Sequence, residues 1–180
     1  VLFRSYLKKN GKIRFIGLCN SSKELIEEAL KFGEVNVIQP PFSMVNQSQK
    51  ELMEWAEANG IATMTSGSLG AGILTGTIRE LPNFDEKDFR LTFYPFFKEP
   101  TFSKIMELLE TLDKVAQKYD KPVAQVAINW STQKSFVNTA LLGVRNAKEA
   151  KINCETFQWQ LEEEDIKCID DEILRLEIGN

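Results

Sequence analysis

Four times along this chain a short apolar run appears, and most of these runs hand over to a stretch of helical spacing; no other feature limits the available folds as strongly. IRFIGL leads into SSKELIEEALKFG, where Leu25, Ile26, Ala29 and Leu30 recur at helical intervals behind a serine cap and stop at Gly33. VNVIQ leads into SQKELMEWAEANG, IATMT follows, and VNTALLGV leads into NAKEAKINCETF. Such runs read as strands buried on both faces, and their alternation with helices predicts β/α units around a parallel sheet. The third unit is enlarged by a Phe-rich insertion, LPNFDEKDFRLTFYPFFKEP. Two helices follow, FSKIMELLETLDKVAQKYD and PVAQVAINWSTQK, the second with Pro122 in its first turn. LEEEDIKCIDDEILRLEI closes the chain as an amphipathic helix.

With 180 residues, 43% of them apolar, the chain has enough material for one sizeable core and reads as a single globular unit. A net charge of −4, with no Lys/Arg stripe, argues against nucleic acid as a partner. No apolar stretch approaches the roughly 20 residues of a membrane span, and no signal-peptide layout opens the chain, so a cytoplasmic setting without membrane contact is expected. The three cysteines, Cys19, Cys154 and Cys168, fit neither a disulfide framework nor a zinc pattern. Histidine is absent, which excludes imidazole metal sites and His-based triads from this chain.

The polar residues at the ends of the apolar runs carry the functional signal. They are Cys19 and Asn20, then Gln39, then Ser66, Gly67 and Ser68, then Gly143 and Arg145. In parallel β/α architectures the loops at strand C-termini converge on the site, whereas the opposite rim serves stability. Small residues in GSLGAGILTG let backbone N–H groups approach and cradle an anion. That loop matches neither a Walker motif nor G-x-G-x-x-G, and a tight turn alone accounts for part of its glycine content. Arg145, in GVRN, offers a cation beside the start of the next helix.

From Gly11 to about Glu177 the chain resembles the second half of an aldo-keto reductase, through GKIRFIGLCN, IQPPFSMVNQ, GSLGAGILTG, PVAQVAINW, LLGVRNAKEAKIN and LEEEDIKCID. The resemblance implies an α/β fold of the (β/α)8 TIM-barrel type, here a partial barrel with about four parallel strands and surrounding helices. Residues 6–180 would form the C-terminal half, with the N-terminal half-barrel as missing partner. Asn20 and Gln39 would hold the nicotinamide carboxamide, with Cys19 where the family usually has serine. Gly67, Ser68, Leu69 and Gly70 would lie along the pyrophosphate through their backbone donors, and Gly143, Arg145 and Asn153 would face the adenosine. Ser66 replaces the family's stacking tyrosine, Ile152 an acidic residue, and Glu149 a position often Arg or Gln. The coenzyme implied is NADP, with NAD possible, and the substrate a small carbonyl compound.

The family reaction is hydride transfer to a carbonyl carbon with protonation by a tyrosine tuned by lysine, aspartate and histidine. That set belongs to the family's first half, so no catalytic residue is assigned here; Tyr6, Tyr94 and Tyr119 are not substitutes. A nicotinamide-nucleotide-binding regulatory or sensory protein with little turnover is the alternative. A third reading is a free half-barrel or four-stranded doubly wound domain that associates with a partner. VLFRS matches one frame of a common sequencing adapter, so Val1–Ser5 are expected to be a non-native scar.

Overall fold

The structure, a computed structural model, describes residues 2–85 and 87–179. Helix α1 (Leu2–Lys9) precedes strand β1 (Gly17–Cys19), helix α2 (Lys23–Leu30), strand β2 (Val37–Gln39), helix α3 (Lys50–Ala58) and strand β3 (Ala62–Thr65). The enlarged third unit carries the short α4 (Arg90–Phe93), then α5 (Thr101–Tyr119) and α6 (Val123–Thr132). Strand β4 (Thr139–Ala140), α7 (Ala147–Glu155) and α8 (Glu163–Leu176) complete the order. Of the segment expected to be a scar, Val1 lies outside the described residues and Leu2–Ser5 belong to α1.

All pairings are parallel and the sheet runs β1-β2-β3-β4. A sheet that grows in sequence order is the progression of a β/α barrel; a doubly wound domain reverses its strand order at a switch point. Register places Gly17 opposite Val37, Leu18 opposite Ile38 and Cys19 opposite Gln39. Side chains alternate along a strand, so Leu18, Ile38 and Thr63 share one face while Gly17, Cys19, Val37, Gln39, Ala62 and Met64 share the other. The first face is the covered one: Ile38 is 2% exposed among Ile26, Ala29, Val35, Ala56 and Ile61. On the second, Gly17, Cys19 and Ala62 are exposed. Burial on both faces, expected from the apolar runs, therefore holds for the helical face only. Gly17 is required by the β1–β2 contact, because a Cβ there would stand 2.6 Å from Val37 Cγ1.

The fourth strand is shorter than VNTALLGV predicts. Leu141 N still donates to Thr65 O at 2.9 Å, but β3 then leaves for the Gly-rich loop, so the rest of the run has no neighbour to pair with. Helix α2 has its predicted cap, the Ser22 hydroxyl accepting from Leu25 N at 3.4 Å, yet only Ile26 and Ala29 are buried; Leu25 and Leu30 face outward. Pro122 is the N-cap residue of α6, just before the first helical turn. The larger core gathers around α5, whose Ile105, Leu108, Leu109 and Leu112 are fully buried in the cluster that also takes in Val126 and Trp130 of α6 and Ile169 and Ile173 of α8. Each such side chain contributes roughly 1.5–3 kcal/mol, which makes this layer the rigid backing for the strand ends. Among the described residues no helix is long and apolar enough to cross a membrane.

Candidate functional site

Because every strand points the same way, all four C-terminal ends lie on one rim. Backbone hydrogen bonds stitch that rim together. Asn20, at φ +49°, a conformation asparagine tolerates, donates its N–H to Gln39 O at 3.2 Å. Ser66 N donates to Pro40 O at 2.9 Å and Phe42 N to Ser66 O at 3.0 Å. Above the stitched ends opens a cavity of about 860 Å³. Asn20, Gln39, Ser66, Gly67 and Gly70 line it, with Ser43 and Asn46 from the loop after β2 and Phe93, Tyr94 and Phe96 from the Phe-rich insertion. Thus the ends of β1, β2 and β3 do converge.

The Gly-rich loop has the backbone of an anion cradle. Gly67 and Gly70 sit at φ +67° and +56°, and a Cβ on Gly70 would meet Val45 Cγ2 at 2.8 Å. Gly70 N donates to Gly67 O at 2.8 Å, closing the turn, whereas among the described residues the amides of Gly67, Ser68 and Leu69 have no backbone carbonyl partner. Successive unpaired N–H groups in left-handed and turn conformations are what binds phosphate oxygens. Ser68 is 2% exposed, and its hydroxyl is spent internally, donating to Leu141 O at 3.3 Å and lying 3.3 Å from the Thr65 hydroxyl. From this loop the cavity lining takes Gly67 and Gly70, whereas Ser68 and Leu69 lie outside it.

The remaining sequence-derived residues lie outside the cavity lining. Cys19 is exposed on the bare sheet face beside Gln39. Gly143 and Arg145 follow β4 on the same rim and are exposed, and Glu149 and Asn153 stand one turn apart on α7. Glu149 holds Arg145 firmly: its Oε1 accepts from Nη2 at 3.0 Å and Nε at 3.2 Å, and its Oε2 accepts from the Arg145 backbone N at 2.8 Å. The backbone N–H of Arg145, then its guanidinium, keep the Glu149 carboxyl below the usual carboxylate range.

A parallel sheet in barrel order, with an uncharged cavity at its converging strand ends, has counterparts among known proteins. The model of the Aldo/keto reductase family matches residues 5–173. This chain belongs to that family. It is 33% identical over 161 residues to aldo-keto reductase YhdN of Bacillus subtilis (strain 168), covering 88% of this chain and 48% of that protein. The NADH-specific methylglyoxal reductase of Escherichia coli (strain K12) is 27% identical over 161 residues, again 88% of this chain and 48% of the relative. Among solved structures, the glycerol dehydrogenase AKR11B4 of Gluconobacter oxydans superposes with a TM-score of 0.88 at 29% identity, covering 97% of this chain and 53% of its own. The chain spans about half the length of the relatives it matches.

As a member of this family the chain has a cavity lined by amides, hydroxyls, aromatic rings and aliphatic groups, with no acidic or basic side chain among them. Such a lining binds and orients, but it holds no general acid–base pair. One trio elsewhere imitates a tuned tyrosine. Tyr119 donates to Asp165 Oδ2 at 2.5 Å, Lys118 Nζ reaches the same oxygen at 2.8 Å, and Glu162 N donates to the Tyr119 hydroxyl at 2.9 Å. This cluster joins α5 to the start of α8 and is absent from the cavity lining. Burial, then the Asp165 carboxylate, raise the Tyr119 phenol, the wrong direction for a proton donor that must ionise. Burial also pushes Asp165 up, but Lys118 and Tyr119 together outweigh it and hold the carboxyl below its ordinary value.

The joint is therefore structural, with a defined pH window. A depressed carboxyl contributes stability above about pH 4 that is lost as pH falls through its folded pKa, and a raised phenol contributes stability below about pH 10 that is lost as pH rises through its own. Tyr119→Phe is expected to cost about 1–3 kcal/mol in urea unfolding at pH 7 and to flatten the alkaline limb of stability against pH. An unchanged midpoint would show that the Tyr119 hydroxyl adds no stability to the α5–α8 joint.

Sequence reading misses Ser43 and Asn46, whose signal is faint: polar side chains inside IQPPFSMVNQ. The Phe-rich insertion is a local hydrophobic cluster that also contributes side chains to the cavity lining. Phe96 and Phe97 are 5% and 1% exposed in the core, while Tyr94 stacks on Phe96 at 5.4 Å and Phe93 reaches the cavity at 71% exposure.

Proposed function

We propose that this chain is the dinucleotide-binding half of an oxidoreductase that reduces aldehydes and ketones by hydride transfer from NAD(P)H. The observation that carries the reading is the convergence of Asn20, Gln39, Ser66, Gly67 and Gly70 on one uncharged cavity at the strand C-termini. The donor set fits the group. Asn20 and Gln39 offer amide donors and acceptors complementary to a carboxamide, and the amide of Gly67, on the cavity wall with no backbone partner, suits a pyrophosphate oxygen. Gly143, Arg145, Glu149 and Asn153 would then face the adenosine, beyond the cavity. The family resemblance favours NADP there, with Arg145 as the anchor. Bound there, the dinucleotide supplies the hydride; this chain's residues orient it and exclude water from one side.

Proton transfer would come from outside this chain, because its cavity lining has no acid–base pair and its Tyr–Lys–Asp trio lies between α5 and α8. The bare sheet face of Cys19, Val37, Gln39, Ala62 and Met64 supports a second half-barrel that closes over it, with residues 6–180 as the C-terminal half. Ser66, in place of a stacking ring, favours a second reading: a nucleotide-holding regulatory protein with little turnover. Supplying the partner half and measuring carbonyl reduction would separate the two.

Binding itself is testable on this chain. NADH and NADPH are expected to give saturable changes in nicotinamide fluorescence, and Asn20→Gly, which keeps the left-handed backbone, and Gln39→Ala each to raise the Kd about three- to tenfold with little shift in Tm, since a hydrogen bond is worth about 0.5–1.5 kcal/mol. Absence of saturable binding by either coenzyme, or variants that bind as the parent does, would refute the reading.

A further inference from the structure

We propose that the cavity continues behind the sheet, into a compartment that binds a small uncharged molecule carrying one apolar group and one hydroxyl or carbonyl. The inference goes beyond the reductase reading and does not depend on it. Side chains alternate along β1 and β2, so Leu18 and Ile38 face the helices while Cys19 and Val37 face the open side. Leu18 and Ile38 line the cavity together with Leu52 of α3, whereas Cys19, Val37 and Met64 do not. Ser22 and Gln49, the residues that open α2 and α3, line it as well. Part of the space therefore lies on the helix side, between the ends of β1 and β2 and the starts of the two helices that cover them.

The wall of this compartment has the two characters that a small amphipathic ligand needs. Leu18 and Leu52 are only half-buried where they pack against the closed cluster of Ile26, Ile38 and Ala56, so aliphatic surface remains for an apolar group to cover. Ser43 also lines the cavity and is 1% exposed, yet its hydroxyl makes no hydrogen bond among the described residues. Its backbone is fully engaged: Ser43 N donates to Asn46 O at 2.9 Å, and Ser43 O accepts from Asn46 N at 3.1 Å. A buried hydroxyl without a partner is costly, and a ligand hydroxyl or carbonyl that meets it supplies the missing bond. Charge is excluded. Lys23, Glu24, Lys50 and Glu51, in the first turns of α2 and α3, are exposed and stand outside the lining, so an ionised ligand would enter without a counter-ion.

The experiment titrates the chain with cyclohexanol, and with cyclohexanecarboxylate as its charged counterpart, following methyl resonances by NMR. Cyclohexanol is expected to saturate in the millimolar range and to move the methyls of Leu18, Ile38 and Leu52 together, with the carboxylate binding about tenfold more weakly or worse. Leu52→Phe fills the compartment from a half-buried position; it is expected to abolish the cyclohexanol response at Leu18 and Ile38 and to leave NADH affinity within about twofold. Ser43→Ala is expected to weaken cyclohexanol about three- to tenfold without lowering Tm, because no bond inside the protein is lost; a purely structural hydroxyl would lower Tm and leave cyclohexanol unchanged. No saturable response at the three methyls, equal binding of the carboxylate, or cyclohexanol binding that survives Leu52→Phe overturns the inference. A Ser43→Ala chain that melts lower and binds cyclohexanol as the parent does overturns it too, as does a folded Leu52→Phe chain that loses NADH. Failure of the parent to bind NADH touches only the reductase reading.

Discussion

Ile38→Asp is expected to abolish cooperative folding, while Ala62→Asp, on the neighbouring strand but the opposite face, shifts stability by no more than about 1 kcal/mol. Ile38 is 2% exposed and sits in the cluster of Ile26, Val35, Ala56 and Ile61, with no cation among those residues to receive a carboxylate. Burying an unpaired charge there costs more than about 4 kcal/mol, against a total domain stability of roughly 5–15 kcal/mol. Ala62 shares its face with Val37, its partner in register, and that face is open. Its only penalty is the poor strand propensity of aspartate. Circular dichroism melts of the two variants decide the matter: equal losses would mean that the two faces are not distinct. The pair also probes closure. On the proposed reading, in which a second half-barrel covers the sheet, Ala62→Asp is expected to point into the closed interior and to become as damaging as Ile38→Asp.

This contrast marks what the sequence carries. Alternation of apolar runs with helical spacing reports parallel β/α units, because a strand feeding a crossover helix must satisfy both periods; four strands in order follow from it. It does not report which face is covered. Val37 and Ile38 are equally apolar in VNVIQ, and only the register with Gly17 and Leu18 tells that one meets helices and the other open space. Site legibility follows the same line. Asn20, Gln39, Ser66 and Gly67 stand at strand ends, where a polar residue directly after an apolar run marks the rim of the sheet. The Arg145–Glu149 pair is legible as two charges four apart, but its consequence depends on which oxygen accepts which N–H. Phe93 and Tyr94 reach the cavity through the path of a long insertion, which no local pattern encodes.

Trp130→Ala carries the second large effect, because one side chain links the deepest core to the wall of the site. Trp130 is fully buried on α6, and Phe42 stacks on it at 5.6 Å and 7°. Phe136 meets Phe42 edge-on at 5.4 Å, and Phe42 is itself part of the cavity lining. The indole N–H donates to Asp170 Oδ1 at 2.7 Å, while Lys134 bonds Asp170 Oδ2 at 2.7 Å and lies 4.6 Å from the indole ring centroid. Truncation removes a large buried volume and the ring stack, about 3–5 kcal/mol, and at about 2–4 °C per kcal/mol for a domain of this size lowers Tm by about 6–20 °C. Phe42 then loses its support, so coenzyme affinity should fall in the same variant even at temperatures where it stays folded. Trp130→Phe separates the contributions. It keeps the stack and leaves Asp170 to Lys134, so it should cost only about 1–2 kcal/mol and retain coenzyme affinity. A Trp130→Ala protein melting within a few degrees of the parent would mean that Phe42 is held by the strand ends alone, and that the core behind α6 does not set the shape of the cavity.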